Sequence, residues 1–440
     1  MHPEKTLTDL QGWRAGLLWF TQAKQPQARH ETDGLLVTAR EADGIVRIQA
    51  IGPYRELAAQ YPDLPTTHWP GLCIAPGFVD LHIHYPQTDV IGSPAEGLLP
   101  WLEHYTFPHE KQFSDPAYAH AVTGFFLDEL MRHGVTTALC FATAHPESVD
   151  VFMAEAQKRR LRMVTGKVLQ DRHSPDGLRD TDTALSLRQT EDLIRRWHGV
   201  DRLGYAITPR FAPTSTEAQL HGAGEIAQQF PDVWIQSHVA ENLDEIRWVH
   251  ELFPEARSYL DVYDRAGLLR QRSVYAHCIY LDEADRHRMA EVGATAAVSP
   301  TSNLFLGSGL FPLNKTWEKQ VKVGLGTDIG AGTSFNQLQT LNEAYKVQQL
   351  QGDKLSAFES LYHATLGGAK ALSLDDKLGN FNLGKEADFV VLDLKATALQ
   401  ALRQQRAKGI EDALFALMTM GDDRNIHATY IFGQKAYVQN

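Results

Sequence analysis

Short apolar runs alternate with helix-like spacing through the middle of the chain, between residues 76 and 377. Turn residues bound the runs, and stretches with a period near 3.6 residues separate most of them. This alternation is typical of βα units in an α/β fold, whose parallel strands share one sheet. The predicted strands span residues 78–84, 135–141, 162–168, 204–211, 233–238, 273–277, 294–299 and 321–328. They predict a distorted (β/α)8 TIM-type barrel, with its active site at the carboxyl ends of the strands.

Capping residues place two helix starts. Asp115 precedes Pro116, a pair favoured at the beginning of a helix. The run Thr214-Ser215-Thr216-Glu217 has the pattern of a capping box and predicts a helix start after the fourth barrel strand. The charged stretch 394–409 is helix-prone, and we expect it to form a solvated helix outside the barrel.

Both ends of the chain are rich in short β-type runs without helical spacing between them. These runs span residues 17–20, 34–38, 45–50, 388–392 and 428–432, and turn signals lie beside them. We therefore predict a small β-sandwich domain formed by residues 1–75 and 378–440. The barrel of residues 76–377 would then be inserted between its two halves.

Composition and charge narrow the function classes. The chain has 440 residues, 43% of them hydrophobic, and a formal net charge of −12, which disfavours nucleic acids and anionic membranes as partners. Cys73, Cys140 and Cys278 are too far apart for a disulfide framework or a Cys-x-x-Cys metal site. Residues 1–5 lack the basic segment and apolar run of a signal peptide, so a cytoplasmic location is expected.

Metal-ligating side chains stand at four predicted strand ends. His82 and His84 are two residues apart on the first strand and project to one face, which supplies half of a tetrahedral zinc site. His238, His277 and Asp328 end strands five, six and eight. A single histidine at a strand end is more often a hydrogen-bonded structural residue, but four such ends together favour a metal centre. Zinc suits these ligands, and iron or manganese would also fit.

The motifs around these residues resemble the amidohydrolase superfamily and, within it, the guanine deaminase family. The resemblance covers nearly the whole chain, including the split β-sandwich. It rests on the motifs His82-Ile83-His84-Tyr85-Pro86-Gln87, Trp101-Leu102-Glu103-His104-Tyr105-Thr106-Phe107-Pro108, Val262-Tyr263-Asp264, Ser299-Pro300-Thr301-Ser302-Asn303-Leu304, Gly324-Leu325-Gly326-Thr327-Asp328 and Gly384-Lys385-Glu386-Ala387-Asp388. The last motif is common to the superfamily, whereas the first two are more specific.

The resemblance implies one zinc ion per subunit, bound by His82, His84, His238 and Asp328. A subgroup of the superfamily binds two metals through a carboxylated lysine at the end of strand four. The predicted fourth strand of this chain ends Pro209-Arg210-Phe211, without a lysine. Lys167 lies in the third strand, where a structural role is expected.

The resemblance also implies three catalytic residues. Glu241, three residues after His238, would carry the proton of the attacking water to the ring and then to departing ammonia. The alternative for Glu241 is an exposed carboxylate at a helix start. Asp328 would accept a proton from the water, and His277 would hydrogen-bond the water or the substrate.

Four residues are assigned to a purine pocket. Arg210 offers a rigid donor fork for the O6/N7 edge of guanine, and Gln87 offers a donor and an acceptor. Phe211 and Trp101 could stack on the ring. The alternatives are a surface ion pair for Arg210, a loop position for Gln87 and a core position for Trp101. The segment 304–313 is expected to be either a mobile lid or a surface loop.

The expected activity is zinc-dependent hydrolysis of guanine to xanthine and ammonia, in purine catabolism or salvage. One alternative is the same chemistry on another aminated ring, of the cytosine, triazine or adenosine type. A second alternative, of another class, is a non-catalytic scaffold that a metal stabilises. The family resemblance also implies a homodimer, with a small-molecule substrate and no nucleic-acid or membrane partner.

Overall fold

The computed structural model describes residues 8–21 and 27–439. Residues 1–5, on which the expected absence of a signal peptide rests, lie outside this part of the chain. The strands are β1 (Thr8–Phe20), β2 (Ala28–Arg40), β3 (Val46–Pro53), β4 (Thr66–Pro76), β5 (Phe78–His84), β6 (Val135–Phe141), β7 (Arg162–Gly166), β8 (Val168–Leu169), β9 (Gly204–Pro209), β10 (Trp234–Val239), β11 (Ser273–His277), β12 (Thr295–Val298), β13 (Lys322–Leu325), β14 (Phe389–Leu392), β15 (Ile426–Ile431) and β16 (Gln434–Val438).

The helices lie mostly between the strands of the middle segment. They are α1 (Tyr54–Gln60), α2 (Leu98–Trp101), α3 (Phe107–Glu110), α4 (Pro116–Arg132), α5 (Pro146–Lys158), α6 (Thr183–Trp197), α7 (Glu217–Gln229), α8 (Leu243–Leu252), α9 (Tyr259–Arg265), α10 (Glu283–Val292), α11 (Pro300–Phe305), α12 (Leu313–Glu318), α13 (Gln337–Leu350), α14 (Ala357–Tyr362), α15 (Gly368–Ala371), α16 (Ala398–Gln404) and α17 (Ile410–Met420). None of the helices in the described ranges is long and apolar enough to cross a bilayer.

The two ends of the chain meet in one mixed sheet of seven strands, in the order β16-β15-β14-β4-β1-β2-β3. Strand β4 lies between β1, to which it is parallel, and β14, to which it is antiparallel. The sheet curls, because Val46 and Ile48 of β3 exchange backbone hydrogen bonds with residues 384–387, which lead into β14. Trp13 packs between Trp69, Phe389 and Tyr430 in the core of this sheet.

Strands β5 to β13 form the barrel, with every paired strand parallel to its neighbour. The first and last strands meet beyond the end of β13. There the amide of Asp328 donates to the carbonyl of His82 at 2.9 Å, and the amide of His84 donates to the carbonyl of Ile329 at 2.9 Å. The predicted fold class, a TIM-type barrel with a β domain from both termini, is confirmed.

A buried ion-pair cluster joins the barrel to the terminal sheet. Arg202 contacts both Glu386 and Asp388, and Arg162 contacts Glu386. The acidic partners come from the Gly384-Lys385-Glu386-Ala387-Asp388 motif, just before β14. Each of these charges is nearly buried, and each has an opposite charge beside it, which is the condition for burying ions at tolerable cost.

Several predicted boundaries differ from the structure. The third predicted strand is split into β7 and β8 on either side of Lys167, and the fourth and eighth strands end before Arg210 and Gly326. The expected capping box at Thr214 is wrong: Thr216 caps α7 by accepting from the Gln219 amide. The Asp171 carboxylate accepts from the amide and hydroxyl of Thr216, so the reciprocal bond of a capping box is absent.

Two helix predictions are confirmed. Asp115 caps α4 by accepting from the Ala117 amide, with Pro116 in the first helical position. Helix α16 lies within the charged stretch 394–409, and Leu399 and Leu402 on it are exposed.

Candidate active site

A bulge in β5 brings its two histidines to the mouth of the barrel. The pairing of β5 with β6 shifts register between Asp80 and Ile83. Below the shift, Val79 and Leu81 belong to an apolar cluster drawn from seven barrel strands, which fills the interior. Above it, the Nε2 atoms of His82 and His84 lie 3.3 Å apart. Bulges commonly re-aim side chains beside active sites in this way.

Two further strand ends complete a four-ligand cluster. The Nε2 atom of His238 lies 3.2 Å from that of His84. The Oδ1 atom of Asp328 lies 3.1 Å from Nε2 of His82 and 3.4 Å from Nε2 of His84. Ligand atoms at ordinary zinc distances and tetrahedral angles lie about 3.3–3.5 Å apart. These four distances are therefore close to those between the ligands of one tetrahedral metal ion.

The backbone beside the cluster is shaped to hold it. A Cβ at Gly326 would lie 2.7 Å from the His82 Cβ, so only glycine allows the segment after β13 to approach β5 so closely. Asp328 and His277 both have positive φ, 54° and 70°. Such backbone costs free energy for these residue types, and it turns both side chains inward at their strand ends. Buried Asp80 secures the loop by accepting from the Thr327 hydroxyl at 2.6 Å.

Electrostatics keeps the four groups in the state that binds metal. Burial lowers the pKa of His84 and of His238 well below the usual value, and neighbouring positive charges act in the same direction. Burial also lowers the pKa of His82, against the attraction of Asp328. Burial alone would raise the pKa of Asp328, but His82 and His277 outweigh it and hold that pKa at about 2. Neutral imidazoles and an ionised carboxylate are the ligand forms that metals require.

Glu241 and His277 lie next to this cluster. The Oε2 atom of Glu241 lies 3.4 Å from Nε2 of His277, and Oδ2 of Asp328 lies 3.8 Å from the same nitrogen. Ser308 donates to Oε1 of Glu241 at 2.8 Å, and Nδ1 of His277 lies 2.8 Å from Oδ1 of Asn303. These two hydrogen bonds fix the orientations of the Glu241 and His277 side chains.

The titration of this pair suits proton transfer. Burial raises the pKa of Glu241, and the charge of Asp328 adds to the effect, against His277 and Ser308. Burial by itself would lower the pKa of His277, but Glu241 and Asp328 outweigh it and raise that pKa. A raised pKa brings a carboxyl closer to the working pH, which favours both taking and releasing a proton. Glu241 is 2% exposed, which contradicts the alternative of an exposed carboxylate at a helix start.

A cavity of about 420 Å³ opens over the cluster. Its walls include the four residues that the sequence assigns to substrate: Gln87, Trp101, Arg210 and Phe211. Trp101 and Phe211 belong to an apolar cluster with Leu98, Leu102 and Leu306, and this cluster forms the hydrophobic wall of the cavity. This mixture of an apolar wall and a few polar groups is typical of a small-molecule site.

Arg210 and Gln87 both bind a buried carboxylate that sequence reasoning missed. Nη1 of Arg210 donates to Oε2 of Glu110 at 2.6 Å, and Nε2 of Gln87 donates to Oε1 of Glu110 at 3.2 Å. The expected alternative of a surface ion pair for Arg210 is wrong, because Glu110 is fully buried. The backbone of Arg210 also serves the cluster, since its carbonyl lies 2.6 Å from Nδ1 of His238.

Other residues at the site were missed as well. The ring of Phe141, at the end of β6, packs against His82, His84 and His238 with centroids 5.2, 4.5 and 4.7 Å away. Phe141 ends the predicted strand 135–141, and this position at the barrel mouth could have identified it as a site residue. The segment 304–313 also packs into the site: Leu306 lines the cavity, and Ser308 donates to Glu241. Asn303, just before this segment, contacts His277.

Lys167 takes no part in the site. It lies between β7 and β8, where its ammonium donates to Oδ1 of Asp180 at 2.6 Å. Strand β9 ends at Pro209, so the residues at its end include no lysine. Within the described ranges, the clusters that could hold a metal are formed by His82, His84, His238, His277 and Asp328.

Comparisons with known proteins agree with this geometry. The family model described as "Amidohydrolase family" matches residues 73–436. The guanine deaminase of Escherichia coli strain K12 is 50% identical over 409 residues, which are 93% of this chain and 92% of that protein. A solved E. coli guanine deaminase superposes with a TM-score of 0.94 at 48% identity, over 98% of this chain and 100% of that one.

A third relative was solved with guanine bound. The crystal structure of guanine deaminase from C. acetobutylicum, with bound guanine in the active site, superposes with a TM-score of 0.89 at 29% identity. The match covers 98% of this chain and 100% of that chain. The bulged first strand, the cluster at the barrel mouth, the split terminal sheet and these comparisons lead to one conclusion. The chain belongs to the amidohydrolase family.

Proposed function

We propose that this protein hydrolyses guanine to xanthine and ammonia, with one zinc ion held by His82, His84, His238 and Asp328. The observation that carries the proposal is the meeting of these four groups at the barrel mouth, beside a cavity that Glu241, Arg210 and Gln87 line. The guanine deaminases that resemble the chain over nearly its full length support the choice of substrate.

The donor set fits the proposed ion. Three neutral imidazoles and a carboxylate are ligands that zinc accepts, and their 3.1–3.4 Å spacing matches a tetrahedral arrangement. The three Nε2 atoms and the Asp328 carboxylate converge on one point, which a cation of this kind would occupy. Bound there, zinc would supply Lewis-acid activation of water. Iron or manganese would suit the same ligands, so metal analysis of the purified protein decides the identity.

The protein's own groups would move the protons. Water adds to C2 of guanine, and its proton passes through Glu241 to the adjacent ring nitrogen. Asp328 and His277 would orient that water. The Nε2 atom of His277 lies 3.4 Å from Glu241 and 3.8 Å from Asp328, so the three groups are close to one another. Glu241 would then take the proton that remains on the added hydroxyl, with Asp328 as the other acceptor beside it, and pass it to the amino group. The C2–N bond breaks as the C2 carbonyl forms, and the amino group leaves as ammonia. The balance is one water consumed and one ammonia released per guanine.

Five residues would hold the purine ring. Phe211 and Trp101 supply the apolar wall, where a flat ring can stack. Arg210 would donate to the O6/N7 edge, and the Gln87 amide would meet a ring edge that has both a donor and an acceptor. His277 would bind the substrate from the metal side.

The decisive experiment measures ammonia release from a substrate panel, with metal content determined on the same preparation. Guanine should give the largest kcat/KM. A higher value for cytosine, a triazine or an adenosine-type ring would overturn the substrate while keeping the chemistry. A metal-loaded protein with no aminohydrolase activity on any of these rings would favour the metal-stabilised scaffold instead.

The finer expectations belong to the same proposal. We infer a cytoplasmic homodimer that acts in purine catabolism or salvage; sedimentation equilibrium should give twice the mass of one chain. We also propose that residues 1–75 and 378–440 form one folding unit around the barrel of residues 76–377. Limited proteolysis should then release fragments that begin or end near residues 76 and 377.

A further inference from the structure

We propose that Glu110 is a positioning residue for substrate specificity, which acts through both Gln87 and Arg210. This inference rests on the proposed function, because it concerns how the same cavity recognises the edge of guanine. Glu110 is the last residue of α3, two residues after the end of the Trp101-to-Pro108 motif, and its side chain is fully buried. The motif thereby gains a role beyond the apolar wall that Trp101 supplies.

The first step of the argument is the amide of Gln87. Its Nε2 donates to the Glu110 carboxylate at 3.2 Å, and its Oε1 accepts from the amide of Gly330 at 3.1 Å. An ionised carboxylate only accepts and a backbone amide only donates, so a flipped side chain would lose both bonds. Glu110 therefore fixes which end of the Gln87 amide is the donor. One N–H and one lone pair of that amide are left for a ligand.

The second step concerns the guanidinium of Arg210. Its Nη1 donates to the other oxygen of Glu110 at 2.6 Å, which uses one of its five N–H groups. The ring of Phe107, on the same helix as Glu110, lies 5.2 Å from the Arg210 Cζ. A buried cation needs a paired anion, and this carboxylate provides it without entering the cavity wall. The remaining donors of the fork keep a fixed direction.

The Glu110 carboxylate thus fixes the orientations of two groups that line the cavity. Its two oxygens are divided between Gln87 and Arg210, so a change at Glu110 disturbs both readers of the ring edge together. Free amides and guanidinium groups could match several rings. When the Gln87 amide and the Arg210 guanidinium are both held in one orientation, fewer rings can pair with them. A ring with the wrong donors and acceptors leaves buried polar groups unpaired.

The test is the isosteric variant Glu110→Gln. The new amide has one oxygen, which accepts, and one NH2 group, which donates. Gln87 and Arg210 both donate to this position, so one of them would face another donor. We expect KM for guanine to rise and kcat/KM to fall by about tenfold or more, with metal content unchanged. In the background of Gln87→Ala, the same change should cost less than it does alone, since one of the two residues through which it acts is gone.

The matched control is Glu386→Gln, which breaks a buried ion pair with Arg162 and Arg202 at the other end of the barrel. It should lower Tm but keep KM for guanine within about twofold of wild type. If Glu110→Gln does not fold, Glu110→Asp keeps the charge and shortens the reach, and KM should still rise.

The inference is overturned if a folded, metal-loaded Glu110 variant keeps the wild-type KM. A proportional loss of kcat on every substrate, with discrimination unchanged, would also overturn it, since it would mark a purely structural role. Failure of the proposed function looks different. In that case the metal-loaded wild-type protein itself does not release ammonia from guanine.

Discussion

Replacing Glu241 by Gln removes the ability of this side chain to transfer a proton but keeps its shape. The amide is nearly the same size, and its carbonyl oxygen can keep the 2.8 Å hydrogen bond from Ser308. It cannot take up a proton at working pH. The proposed metal ligands are untouched, so metal content and Tm should stay near the wild-type values.

The size of the effect follows from the surroundings of the carboxylate. Proton transfer by a positioned side chain contributes about 10²–10⁴-fold to rate. Glu241 is 2% exposed, so bulk water has little access to replace it, and the loss should lie in the upper part of that range. A decrease in kcat of about 10³–10⁴-fold corresponds to about 4–5 kcal/mol of lost transition-state stabilisation.

The assay couples ammonia release from guanine to a metal determination on the same sample. Glu251→Gln, an exposed carboxylate on the following helix α8, is the matched control and should keep the wild-type kcat. A folded Glu241→Gln protein with full metal content and a kcat within tenfold of wild type would refute the proton-transfer reasoning. Loss of metal in that variant would instead show that the carboxylate supports the metal centre.

Three further measurements probe the metal centre and the scaffold. His238→Asn removes a proposed ligand and should weaken zinc affinity by at least about 100-fold in competition with a chelator, whereas unchanged affinity would exclude His238 from the site. Because burial lowers the pKa of the ligand histidines and Asp328 titrates at about 2, zinc affinity of the apoprotein should fall less than tenfold between about pH 7.5 and 6. Three unperturbed histidines would lose roughly 50-fold over that range, which calorimetric titration distinguishes. Trp13→Ala should cost about 3–5 kcal/mol in denaturant unfolding of the terminal sheet, with KM unchanged, and an unshifted unfolding midpoint would contradict that estimate.

The parts of the fold that repeat along the chain could be predicted from the sequence. The bounds of β5 and β6 match the prediction, because both strands are buried throughout and each begins directly after a glycine, Gly77 or Gly134. The convergence of His82, His238 and Asp328 could also be predicted, since the carboxyl ends of barrel strands meet at one mouth.

Other features depend on long-range contacts that no local pattern carries. The last barrel strand ends before Gly326 because the chain turns there to reach β5. Thr216, not Thr214, caps α7 because Asp171, 45 residues earlier, binds it. Glu110 and Arg210 are 100 residues apart in sequence, and a glutamate in a short helix looks like any surface carboxylate until the barrel brings them together.

The central position of β4 in the terminal sheet also sets an order of events during synthesis. Pro76 pairs with Phe389, so more than 300 residues must leave the ribosome before β4 gains its second neighbour. At about 5–20 residues per second, the growing chain exposes one edge of β4 for roughly 15–60 s. An open edge is a template for pairing with other chains. Truncation just before β14 should therefore give a protein that aggregates during expression, even though every residue of the barrel cluster is already present.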